Sequence, residues 1–184
     1  MITCLNKIIS AANGRNVLLF LIPSLAVYLV MLFYTIPAVQ SHAPELKVFD
    51  LLPAGYSYDY AMKLLSSLGD KGRDEYLYTQ LPVDFIYPAL FSISSCLLLA
   101  WLFLKRNSEG SKVNYLCSVP IFAGLFDYLE NIMVVIMIFS YPDISQSLVA
   151  LSSAATIVKS GLTTLFFLLL FYGFLRLWIG PDYS

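Results

Sequence analysis

The sequence predicts an all-α integral membrane protein, a single domain over residues 1–184 built as a bundle of four transmembrane helices. Three observations carry this expectation. The 184 residues are 59% hydrophobic and only 12% charged, whereas soluble domains run about 45–50% apolar and about 25% charged. Four stretches reach the roughly 20 apolar residues that a helix needs to cross a bilayer. None of them alternates apolar and polar residues as barrel strands do, so each must satisfy its backbone amides internally as a helix.

The elements follow in order. Ile2, Leu5, Ile8, Ile9 and Ala12 recur at helical spacing, which predicts a short N-terminal interfacial helix over residues 2–12. Only Lys7 and Arg15 precede a long apolar run, a pattern unlike a cleavable signal peptide. The first span covers residues 16–40. Residues 41–83 then form a segment too long for an idle loop. Within it, Pro53-Ala-Gly55 signals a turn and Ser57 caps a helix to Leu68. Tyr60, Ala61, Leu64, Leu65 and Leu68 share one face of that helix, with Lys63 and Ser67 off it. Gly69 is a natural stop. A second amphipathic helix starts at Asp70, carries Arg73, Tyr76, Leu77 and Gln80, and ends before Pro82. Together the two helices are expected to lie on the outer mouth of the bundle. The second span covers residues 85–104, the third 113–140 and the fourth 147–178.

Lys7, Arg15, Lys105, Arg106, Lys112 and Arg176 fall on one side of this threading. Such a bias places both termini in the cytoplasm, in a plasma (inner) membrane, with residues 41–83 facing outward.

Composition also excludes activities. The net charge is −1 and the pI is near 5.7, with no basic block, so nucleic acid is not an expected partner. Cys4, Cys96 and Cys117 are widely separated and His42 is the only histidine. That pattern offers no disulfide framework, no CxxC redox pair and no zinc cage. Neither a metal nor a cofactor is expected.

The chemistry is expected where charge enters the membrane. Asp127, Glu130 and Asn131 share one face of the third span, near the bilayer centre, where a charge costs roughly 2.5–3.5 kcal/mol and needs a partner. Ser152, Thr156, Lys159, Ser160 and Thr163 form a matching stripe on the fourth span. Counted from Asp143 in the intervening turn, Asp127 lies 16 residues back, Glu130 13 back and Lys159 16 forward. At about 1.5 Å per residue these groups reach a similar depth. One cation then faces two carboxyls, and the cheapest resolution is that one carboxyl keeps its proton. Asp84, at the outer end of the second span, reads first as a solvated helix-end carboxylate and second as a further acid at the mouth of a cavity. Ser92, Ser94, Ser95 and Cys96 form a small-residue patch suited to close helix packing.

Three functions fit this pattern. The first is a site that binds, and in its enzymatic form transforms, a small hydrophobic or lipid-like ligand taken from the bilayer. The second is a structural or assembly subunit of a membrane complex, with the ion pair holding helices in register. The third is a proton- or ion-coupled transporter, which four helices without an inverted repeat would permit only as a homo-oligomer.

Overall fold

The computed structural model describes residues 2–105 and 110–179. Arg106, and the side chains of Cys4 and Lys112, lie outside the described residues. The protein is 85% helix with no strand among the described residues, and four of its helices are long and apolar enough to cross a membrane.

Helix α1 (Ile2–Ser10) puts Ile9 into an apolar cluster with Leu99, Phe103, Val113 and Cys117, with Leu5, Ile8 and Ala12 packed beside it. It therefore docks on the ends of the second and third long helices. Helix α2 (Gly14–Gln40) starts at Asn13, whose side chain accepts from the Asn16 amide at 2.9 Å. Its middle is interrupted by a π turn over Met31–Thr35. The chain then folds into a cap. Gln40 donates to the Ala43 carbonyl at 2.8 Å and also reaches the Leu46 carbonyl. A short 3-10 turn, Phe49–Leu51, buries Phe49 completely.

Helix α3 (Tyr58–Glu75) is capped by Ser57, which accepts from the Tyr60 amide at 3.2 Å. Ala61, Leu64, Leu65 and Leu68 are buried and Lys63 is exposed. The apolar face packs in one cluster with Val39, Val134, Met137 and Val149. Gly69 turns the chain with φ 61°, a conformation open to glycine. The expectation that the second amphipathic helix stops before Pro82 is corrected here. Helical structure continues from Asp70 through a π turn, Tyr76–Gln80, and the turn Leu81–Asp84. After two turn residues it becomes α4 (Tyr87–Leu104). Proline in a plain α-helix lacks a donor and collides with the carbonyl four residues back. Here the residue just before Pro82, Leu81, bonds five residues back to Tyr76, and Ile36 before Pro37 does the same to Met31. The widened turns absorb both prolines.

Helices α5 (Gly110–Ser140) and α6 (Gln146–Trp178) form an antiparallel pair in contact along their length, and α4 packs against α5 and α2. The α4–α5 approach is close because residue 124 is glycine. A Cβ there would stand 2.1 Å from Ser92 Oγ and 2.9 Å from the Pro88 carbonyl oxygen. Ser92 also donates to the Pro120 carbonyl at 3.1 Å and Cys117 to the Cys96 carbonyl at 3.3 Å, so the small-residue patch serves helix packing.

By contrast, α2 and α6 scarcely touch. They are also the least covered spans, with 17% of the apolar window buried in each against 50% and 44% for the other two. The outward faces carry Leu18, Ile22 and Phe33 on α2, Phe122, Leu129 and Ile136 on α5, and Leu151, Leu168 and Phe171 on α6. Polar side chains are turned inward. This inside-out distribution is the reverse of a water-soluble bundle.

Candidate functional site

The two polar stripes meet. Lys159 Nζ lies 2.9 Å from Asp127 Oδ1 and also forms an ion pair with Glu130. Thr156 Oγ1 donates to Glu130 Oε1 at 2.8 Å and lies 3.0 Å from the Ser152 carbonyl oxygen. Asp127, Glu130, Asn131, Ser152 and Thr156 are all buried. The reason is register. Antiparallel helices joined by a short turn bring residues at equal distances from that turn to the same depth, and the three-and-four spacing keeps each stripe on its inner face.

The two acids have different surroundings. Glu130 is packed behind the ammonium, 2% exposed, with a hydroxyl on one oxygen and Lys159 on the other. Asp127 and Lys159 line a cavity of about 420 Å³. Ser160 and Thr163 line it too, beside Thr164, while Thr156 and Ser152 stand behind with Glu130. Further walls are Tyr28, Met31, Leu32 and Ile36 of α2, Leu51 and Pro53 of the cap, Tyr87 and Phe91 of α4, Ala123 of α5, and Phe167 of α6. Tyr28, Leu32 and Phe167 are also exposed on the outside of the bundle. The cavity thus opens sideways between α2 and α6, where those helices do not pack.

Asp84 differs from its first expectation. It is 2% exposed and lines the same cavity, so it is not a solvated helix-end carboxylate. The continuous helix from Asp70 places it inside the structure rather than at a free helix start. Its backbone carbonyl accepts from Asn131 Nδ2 at 3.3 Å, so Asn131 ties α5 to the head of α4 instead of joining the ion pair.

Several residues of the site lie outside the two polar stripes. Asp50, from the cap, lines the cavity beside Asp84. Tyr76 donates to Asp50 Oδ2 at 2.5 Å. The Tyr56 hydroxyl is 2.7 Å from Ser152 Oγ, and burial pushes it above the usual tyrosine range, so it remains a neutral donor. Gln80 and Thr35, the last residues of the two π turns, are buried and hydrogen-bonded to each other. The available hint was an acid within an apolar run, Val48-Phe-Asp50-Leu-Leu52, and π turns are frequent at functional sites.

Comparison with known proteins adds no relative: no family model matches the chain, and no curated protein and no solved structure matches it.

Proposed function

We propose that this is a multi-pass membrane protein that binds a small amphiphilic, lipid-like molecule drawn from the bilayer, with its polar group held at Asp127 and Lys159. The observation that supports this most directly is the cavity: its walls are mostly apolar, it meets the outside between α2 and α6, and its floor bears an ion pair. Pockets of about 300–1,000 Å³ with apolar walls and a few convergent polar groups are the usual form of small-molecule sites. An ammonium has three N–H donors. Two serve Asp127 and Glu130, which leaves one for a ligand acceptor. A role in helix packing alone would close both carboxylates into protein. Glu130 meets that description, whereas Asp127 and Lys159 face open space.

The basic residues beside the short loops favour both termini in the cytoplasm, which puts the cap on the outer side. Native mass spectrometry of gently extracted protein tests the reading. A retained amphiphile is expected, and Ala123→Phe, which fills the cavity from α5, should lose it. Protein that carries no bound molecule and takes up no added amphiphile would refute the reading.

A further inference from the structure

The floor of the cavity presents a donor and an acceptor side by side. Lys159 Nζ is in contact with Asp127 and Glu130, and an ammonium has three N–H donors, so one N–H remains. The Lys159 side chain is 18% accessible and lines the cavity. Asp127 receives Nζ on Oδ1 at 2.9 Å. Its second oxygen, Oδ2, takes no hydrogen bond among the described residues and, unlike Glu130 Oε2 and Asp84 Oδ2, is not enclosed by protein. A carboxylate oxygen so placed is normally satisfied by protein, water or a bound group. Because Nζ and the Asp127 carboxylate touch, one oxygen atom set against both can accept from the first and donate to the second. Charge narrows the head group further. Lys159 is the only cation among the described lining residues, beside Asp50, Asp84 and Asp127, and Glu130 stands behind it.

Resting on the binding function proposed above, we infer that the ligand is an uncharged lipid with a hydroxyl head group, a long-chain alcohol in its simplest form, whose oxygen accepts from Lys159 and donates to Asp127 Oδ2. A fatty acid would bring a further carboxylate to an ammonium that two already share. An amine would satisfy Asp127 but set a second cation against Lys159 and leave the remaining Lys159 N–H without an acceptor. An ether accepts from Lys159 and leaves Asp127 Oδ2 facing carbon. A hydroxyl meets both groups and adds no charge. From the ion pair the alkyl chain runs along α6 past Thr163 to Phe167, with Leu32 and Phe91 on the other walls. Phe167 is eight positions beyond Lys159, or about 12 Å of helix, and the path reaches the gap between α2 and α6.

The test is a binding series on the full-length protein in a non-ionic detergent. The probes are hexadecanol, methyl hexadecyl ether, palmitate and hexadecylamine, and bound probe is read by native mass spectrometry. Hexadecanol should bind at least about tenfold more tightly than each of the other three, because the ether forfeits a hydrogen bond to a charged group and the other two bring like charges together. Asp127→Leu combined with Lys159→Met replaces the ion pair with apolar side chains, a change that buried pairs often tolerate. In that variant hexadecanol and the ether should bind equally. An alcohol preference that survives it overturns the hydroxyl assignment. Parent protein that binds the ether, the acid or the amine as tightly as the alcohol also overturns it and leaves the binding function standing, and this comparison needs no variant to fold. Failure of all four probes on well-folded parent protein removes both.

Discussion

At the residue scale the decisive contact is Lys159 between Asp127 and Glu130. Removing one member of a buried ion pair strands a charge and typically costs about 3–5 kcal/mol. Lys159→Met and Asp127→Asn should each destabilise on that scale, read as thermal unfolding in detergent. The double variant should recover part of the loss, since the two groups lie 2.9 Å apart. Simple additivity of the two losses would show that the charges do not interact in the folded protein. Glu130→Gln should be milder, because the amide keeps an acceptor for Thr156 while Asp127 still neutralises the ammonium. Its unfolding temperature should fall by less than that of Asp127→Asn. A larger fall would place the principal ion pair at Glu130.

At the element scale two glycines hold the architecture together. Gly124→Ala would push a methyl group to 2.1 Å from Ser92 Oγ and 2.9 Å from a backbone oxygen. The serine can rotate but the carbonyl cannot, so the α4–α5 crossing must open at a cost of about 1–3 kcal/mol. Adding Ser92→Ala should recover only part of the lost melting temperature. Gly55 has φ +81° and a Cβ there would meet Ser153 Oγ at 2.5 Å, next to the 2.9 Å bond from the Tyr56 amide to that same serine. Gly55→Ala should therefore loosen the cap from α6. Spin labels at Leu64 and Lys63 provide the readout: water should reach Lys63 and not Leu64 in the parent. In Gly55→Ala the Leu64 label should become accessible. Equal, high accessibility at both positions in the parent would contradict the packing of α3.

At the scale of the whole molecule, four long apolar helices make a bundle that is closed on three sides and open on the fourth. The cap bridges the ends of α2 and α6 through α3, so one end of the gap is covered while its middle is left open. An unpaired charge inside such a bundle is expensive, which is why the polar residues gather in one place instead of being scattered. The proposed topology puts the cap outside the cytoplasm. A C-terminal reporter that works only in the cytoplasm should be active, and one that works only outside should be silent. The reverse result would invert the assignment of the basic loops.

Length and hydropathy alone delimit the four long helices, because a long apolar run without alternation has one local way to satisfy its amides in an apolar medium. The meeting of Lys159 with Asp127 and Glu130 is legible for a related reason: two helices joined by a tight turn keep count of depth, and residues 127, 130 and 159 lie near 16, 13 and 16 positions from Asp143. The burial of Asp84 and the arrival of Asp50 beside it depend on contacts that no periodicity records. Pro82 reads locally as a helix stop, yet a π turn lets the helix pass, and that continuity carries Asp84 inside. Asp50 sits in a short 3-10 turn whose course is set by Phe49 packing against Tyr56, ahead of α3, and Tyr76, beyond its far end. The sideways opening is likewise a tertiary outcome. It exists because α2 packs on α4 and not on α6, a choice made by the shapes of facing side chains rather than by the hydrophobicity the four helices share.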